Sequence, residues 1–286
     1  MNLENTIKEA TKKLKNNNIT SHVLDAQIIL ADIMGIKREF LITNDKISIS
    51  EDVREKYNIA IDRRINNEPV AYIIGKKEFW SENFFTNKST LVPRPETELL
   101  IYKIVDIFKN KRINILDIGT GTGCILLSLL KELNNSKGTG IDISSKAIRI
   151  AKMNSKNLNL INRAKFKTFD LNRYNCDKYD LIVSNPPYIP SKDIKKLSKD
   201  IINFEPRNAL DGGFDGLDLI KKVIYKSKNL LKRNGLLAIE IGFNQYRRVS
   251  EILKYYNFRE YSKVIDYNRN IRCIISTKVN FFNLKN

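Results

Sequence analysis

Two short segments carry residues whose types and spacing could do chemistry. The first, Asp117-Ile118-Gly119-Thr120-Gly121-Thr122-Gly123, follows an apolar run and precedes a helical pattern. Glycines at such a junction let a ligand approach the backbone and a helix N-terminus, as in a nucleotide-like cofactor site. The third glycine comes one residue early for the G-x-G-x-x-G of nicotinamide-binding folds, and residue 124 is Cys, so a dinucleotide is disfavoured. The second segment, Asn185-Pro186-Pro187-Tyr188, ends the apolar run Leu181-Ile182-Val183-Ser184. It offers a side-chain carbonyl, a backbone carbonyl at Pro186 and an aromatic face at Tyr188, on a backbone restricted by two prolines. Two acceptors can hold both N–H groups of a planar amino or amide nitrogen and turn its lone pair towards an electrophile. The Tyr188 ring can then pack on that planar group.

Two further carboxylates extend the first segment. Asp142 ends the next strand-like run, about twenty residues past the glycines, where a carboxylate can accept from both hydroxyls of a ribose. Asp170 ends a third run with Leu171 beside it, a polar group and an apolar contact where an adenine ring would lie. Any one of these acids alone reads as a turn or cap residue. Three at successive strand ends, Asp117, Asp142 and Asp170, point to an adenosine cofactor.

The elements that must position these residues follow from periodicity. Leu3, Ile7, Ala10 and Leu14 recur at helical spacing until Asn16-Asn17-Asn18 breaks the pattern. Ser21 can cap a second helix running to Gly35, and Ser50-Glu51-Asp52 opens another with Val53, Tyr57, Ile61 and Ile65 inward. Residues 1–70 therefore read as a small helical domain. After Pro69, Val70 to Gly75 with Glu78-Phe79-Trp80 and Phe84-Phe85 has the β-branched and aromatic bias of a hairpin, and 71–92 reads as a linker. From 93 to 286, strand-like runs at Ile113 to Ile118, Gly138 to Ile141, Lys165 to Phe169, Tyr179 to Ser184 and Leu236 to Ile241 alternate with helical segments. Such alternation predicts a parallel sheet covered on both faces. Tyr261 to Asp266 and Ile271 to Ser276, joined by Tyr267-Asn268-Arg269-Asn270, predict an antiparallel hairpin at its edge.

Composition narrows the function classes. With 286 residues, 42% hydrophobic, the chain can bury a sizeable core, yet no stretch reaches the roughly 18 apolar residues of a membrane span. The N-terminus lacks the pattern of a secretory signal, so a cytoplasmic protein is expected. Cys124, Cys176 and Cys273 have no disulfide or zinc spacing and are expected as reduced core residues. His22 is the only histidine, which excludes a multi-histidine metal centre and fits a helix start or the surface; no metal is expected. The net charge of +18 suits proximity to ribosome or RNA, but Lys, Asn and Ile enrichment is also what an AT-rich genome produces.

From about residue 93 onward the layout resembles the class I S-adenosylmethionine-dependent methyltransferases. That resemblance implies an α/β fold with a seven-stranded Rossmann-like sheet and edge hairpin, preceded here by the small helical domain. It implies S-adenosyl-L-methionine as cofactor: the Gly119–Gly123 loop at its methionine end, Asp142 at the ribose, Asp170 and Leu171 at the adenine. Asn-Pro-Pro-Tyr occurs in adenine-specific DNA, guanine-specific rRNA and protein glutamine methyltransferases, and other blocks separate these. Leu24-Asp25-Ala26, Ile36 to Leu41, Glu68 to Gly75, Leu91-Val92-Pro93-Arg94-Pro95-Glu96-Thr97-Glu98, Phe204 to Leu210, Gly213 to Leu217 and Glu240-Ile241-Gly242 all resemble the PrmC/HemK family. By that resemblance the chain methylates the glutamine amide of the Gly-Gly-Gln motif in class I peptide release factors, as a monomer. Asn185 and Pro186 would grip the amide, Pro187 and Tyr188 would support it, and Arg94 and Glu96 would shape the wall. Leu171 stands where the family often has an aromatic residue, and Asn268-Arg269-Asn270 replaces a glycine-containing turn. The enzymatic runners-up are an rRNA guanine or DNA adenine amino-methyltransferase; the latter flips its base and usually needs a target-recognition region, for which there is little room.

Overall fold

A computed structural model describes residues 2–44, 46–175 and 178–279. Cys176 and the end of the 93–286 segment lie outside the described residues. The chain divides into two compact units, one of residues up to Lys76 with Leu197–Glu205, the other of Lys77–Lys196 with the chain from Pro206 onward.

The first unit is helical. It contains α1 (Leu3–Asn16), α2 (His22–Met34), α3 (Arg38–Thr43), α4 (Glu51–Ile65) and α5 (Val70–Ile73). Leu3, Leu14, Ile29, Leu30, Tyr57 and Ile61 pack together as its core. Ser50 caps α4 by accepting from the Val53 amide, whereas Ser21 makes no such cap and donates instead to Asp25. Asp25 also accepts from the buried Arg64 at 2.7 Å. The segment after Pro69, expected as a strand, is a short helix. Its β-branched residues are overruled locally: Pro69 starts the turn, Ala71 and Tyr72 are buried, and the Arg63 guanidinium reaches the Tyr72 and Ile73 carbonyls at the helix end. Arg63 is held in place by a two-pronged pair with Glu68, both bonds 2.8 Å.

The hairpin lies just beyond, in β1 (Lys76–Phe79) and β2 (Glu82–Phe85). Trp80 and Ser81 take φ of 52° and 57°, the backbone of a two-residue turn with both central residues left-handed. Trp80 is tied there by its amide to Glu98 and its indole N–H to Glu132. The boundary between the two units falls at the start of this hairpin.

The second unit alternates as expected. It runs through α6 (Glu98–Phe108), β3 (Asn114–Ile118), α7 (Cys124–Glu132), β4 (Lys137–Asp142), α8 (Ser145–Asn157), β5 (Ala164–Thr168) and β6 (Tyr179–Ser184). After α9 (Lys199–Phe204), which groups with the first unit, come α10 (Asp218–Leu230), β7 (Leu231–Glu240), α11 (Tyr246–Tyr255), β8 (Phe258–Ile265) and β9 (Ile271–Lys278). The seven strands are ordered β5-β4-β3-β6-β7-β9-β8; the first five are mutually parallel and β9 runs antiparallel to both its neighbours. Alternate residues separate into two apolar layers. Ile115, Leu181, Val183 and Leu236 pack with α6, α7 and α8, while Leu116, Ile182, Leu237 and Ile239 pack with α10 and α11. Both faces are thus buried, which is why these strands read as continuous apolar runs.

Candidate active site

Strand order locates the site. The chain leaves β3 to build β4 and β5 on one side, then returns to add β6 and β7 on the other. Such a reversal opens a crevice at the carboxyl ends of the two central strands. Ile118 pairs with Ser184 in register, and the Ser184 hydroxyl donates to the Ile118 carbonyl at 2.8 Å. Gly119 and Asn185, the next residue on each strand, therefore leave the sheet side by side. A cavity of about 330 Å³ opens here.

The cofactor wall of this cavity is built from backbone geometry. Gly119 and Gly121 have φ of 72° and 55°, and a Cβ at either would meet nothing within 4 Å. The left-handed conformation, not crowding, demands glycine there, and the space above both is left for a ligand. Gly123 differs, since a Cβ on it would press on Phe166 and Leu127; it serves packing and starts α7. Asp142 accepts from the amides of Gly121 at 3.0 Å and Ser144 at 2.8 Å, one on each oxygen. Each oxygen keeps a second lone pair for ligand hydroxyls. Burial raises the Asp142 carboxyl above its ordinary value, opposed by those amide bonds. Asp170 lies two residues beyond β5, accepts from the Asn172 amide at 2.8 Å and lines the cavity with Leu171. It is both a cap and a wall residue.

Five of the expected site residues are not in the lining. Asp117 is buried beneath the loop, where its carboxylate accepts from Thr120 Oγ1 at 2.6 Å and burial pushes its carboxyl up to about 7. It supports the loop from below. Gly123 and Pro186 are likewise covered, and Glu96 is exposed outside the lining while its neighbours Arg94 and Thr97 form the wall. Tyr188 is also outside the lining: its hydroxyl donates to Glu240 Oε1 at 3.4 Å, and burial raises its phenol above the ordinary value. Gly119, Thr120, Gly121, Thr122, Asn185 and Pro187 do line the cavity.

Sequence reasoning missed several contributors. Phe169 and Ile143 add apolar surface beside Leu171 and Asp142. Buried Asn154 of α8 exchanges bonds with both the amide and the carbonyl of Phe85, and donates to the Thr122 carbonyl at 2.9 Å, fastening the hairpin to the glycine loop. Thr97 Oγ1 accepts from Asn185 Nδ2 at 3.3 Å and donates to Glu240 Oε2 at 2.7 Å. Thr97 and Glu240 lay within two of the recognised blocks, but nothing in their spacing joins positions so far apart. The blocks after the motif also find a purpose. Ile189 exchanges backbone bonds with Leu210 and Gly212, and Gln245 donates to the Tyr188 carbonyl, so the exit of Asn-Pro-Pro-Tyr is pinned. His22 begins α2 and bonds to the Ile19 carbonyl; Cys273 is core, whereas Cys124 reaches the cavity with its thiol pushed up to about 12 by burial.

Residues 5–75 match the PrmC N-terminal domain and residues 109–258 a methyltransferase domain. A release factor glutamine methyltransferase of Buchnera aphidicola subsp. Schizaphis graminum is 40% identical over 97% of this chain and 100% of its own length. Another of that description, from Clostridium acetobutylicum, is 36% identical over 97% and 99%. The chain belongs to the release factor glutamine methyltransferase family. Solved structures support the fold independently. The hMettl16 catalytic domain, in complex with a MAT2A 3'UTR hairpin, matches with a TM-score of 0.57 at 17% identity over 87% of this chain and 92% of that one. A Pyrococcus furiosus methyltransferase matches with a TM-score of 0.53 at 16% identity over 77% and 98%. The fold is that of class I S-adenosylmethionine-dependent methyltransferases, and the cofactor is S-adenosyl-L-methionine. The wall residues fit it: open space above two left-handed glycines, a carboxylate with spare lone pairs for a ribose, and an apolar patch of Leu171, Phe169 and Ile143 for a planar ring.

Proposed function

We propose that this enzyme methylates the side-chain amide nitrogen of the Gly-Gly-Gln glutamine in class I release factors, with Asn185 as the residue that grips the reacting amide. The observation that carries the reading is the juxtaposition of Asn185 with the glycine loop on paired strands. When bound, the cofactor supplies an electrophilic methyl on a sulfonium. The chain supplies position. Asn185 Oδ1 accepts from the substrate amide, and Pro187, which lines the cavity beside it, restricts the backbone that carries it. Arg94 also lines that cavity. Gly119 to Thr122 lie along the methionine end, Asp142 takes the ribose hydroxyls, and Asp170 with Leu171 borders the adenine. No strong base is needed, because an amide nitrogen becomes acidic only as the methyl is transferred. We further infer a monomer working in the cytoplasm on a protein substrate; no helix among the described residues is long and apolar enough to cross a membrane.

Full-length similarity to release factor enzymes favours this reading over a nucleic-acid amine. The deciding experiment is methyl transfer from labelled cofactor to purified release factor, to the same factor with its Gly-Gly-Gln glutamine replaced, and to rRNA and DNA. Label on the intact factor alone is expected. Label on the replaced factor, RNA or DNA overturns the assignment.

A further inference from the structure

Asn185 sits at the end of a chain of hydrogen bonds that has a direction. The chain begins at Glu240, the last residue of β7, which is only 1% exposed. An ionised carboxylate can only accept, so the Thr97 hydroxyl must donate its single proton to Glu240 Oε2, at 2.7 Å. The Thr97 oxygen is then left with lone pairs alone for any other neighbour. Asn185 meets it with Nδ2, at 3.3 Å. The two ends of an asparagine amide are nearly the same size, and hydrogen bonds rather than shape decide which way it points. Here the nitrogen is claimed by Thr97, and Oδ1 is the end left for a ligand in the cavity that Asn185 lines. The reverse orientation would set an NH2 group against the NH2 of a substrate amide, donor against donor.

We propose that Thr97 and Glu240 are positioning residues that fix the Asn185 amide with its oxygen towards the substrate, so that a buried carboxylate sets the polarity of the site. The proposal rests on the reading of Asn185 as the amide-gripping residue. The same carboxylate also holds the far end of the motif, since its Oε1 accepts from the Tyr188 hydroxyl at 3.4 Å, and Arg272 Nη2 reaches that hydroxyl at 3.5 Å. One side chain on β7 therefore anchors both ends of Asn-Pro-Pro-Tyr.

The relay has a titratable element. Burial pushes the Glu240 carboxyl up to about 6, against the stabilising bonds from Thr97 and Tyr188 and the charge of Arg272 on β9; Glu96 adds to the rise. Cys273, its strand partner, stays a neutral thiol, as burial raises it further. Once protonated, Glu240 can donate to Thr97, and Thr97 can then donate towards Asn185, which removes the preference for Oδ1 outward.

The test compares Thr97→Val, Thr97→Ser, Glu240→Gln and Asn185→Ala. Thr97→Val keeps the shape and removes the relay; kcat is expected to fall about 10-fold, the equivalent of one hydrogen bond, with KM for release factor and calorimetric affinity for S-adenosylmethionine little changed. Thr97→Ser should restore most of the loss. The unmodified enzyme should lose kcat as pH falls through about 6, and Glu240→Gln should be slow and lack that limb. Equal losses in Thr97→Val and Thr97→Ser, or unchanged kcat in Thr97→Val, overturn the relay. Unchanged kcat in Asn185→Ala would instead remove the amide-gripping reading itself. If a variant does not fold, the unmodified protein still decides: the Asn185 side-chain amide resonances should shift as Glu240 titrates, and constant shifts from about pH 5 to about pH 7 overturn the proposal.

Discussion

The cavity has two walls that reach the same end by different means. On the cofactor wall, polar groups are satisfied by nearby backbone: Asp142 accepts from the Gly121 and Ser144 amides, and Asp170 from the Asn172 amide. On the substrate wall, Asn185 is held by side chains from distant parts of the sequence, Thr97 and Glu240. Backbone amides come with the fold and hold a ligand whose shape does not change. Side-chain relays can be tuned one residue at a time, which suits the group that must recognise the reacting atom.

The sharpest way to break this comparison is to remove each wall's central residue. Asn185→Ala should lower kcat by on the order of 100-fold to 1000-fold, the scale of losing one preorganised polar group at a reacting atom, while cofactor affinity measured by calorimetry stays near that of the unmodified enzyme. Equal loss of cofactor affinity would show that the two walls are not separate. Asp142→Ala should do the opposite and weaken cofactor binding by about 10-fold to 100-fold, the worth of charge-assisted hydrogen bonds, with a smaller change in kcat at saturation. A kcat loss matching that of Asn185→Ala would count against its place at the ribose.

The smallest effect concerns what lies under the cofactor wall. Asp117 binds its proton more tightly in the folded chain, with its carboxyl raised to about 7 by burial, than it does when unfolded. Its contribution to stability is therefore complete below the ordinary carboxylate value and is lost as pH rises towards about 7. In Asp117→Asn, the decline in urea midpoint from about pH 4 to about pH 7 should become shallower. An unchanged slope would mean that another group carries the decline.

The same contrast explains what could be read from the sequence. The glycine loop, Asp142 and Asp170 are legible because each acts within a few residues of its own strand, where spacing still predicts geometry. The strands themselves are legible because burial on both faces leaves unbroken apolar runs. The helix at Val70–Ile73 is not, since its residues carry β-forming side chains and only Pro69 and the Arg63 guanidinium make a helical turn the better solution. The partners of the Tyr188 hydroxyl, Glu240 and Arg272, are not legible either, since they approach from β7 and β9. Thr97 and Glu240 sit 143 positions apart, a separation at which no local pattern survives. The resemblance to known enzymes identified the blocks that contain them and left their physical connection to the structure.

The position of β9 has a consequence for the making of the protein. The last described strand is inserted between β7 and β8, so β7 has no partner on its outer side until Ile271–Lys278 has been synthesised. A nascent chain that already carries the whole cofactor wall still exposes an apolar strand edge, open to pairing with another chain. Shortening the protein before Ile271 would therefore cost solubility before it cost any residue of the cavity lining.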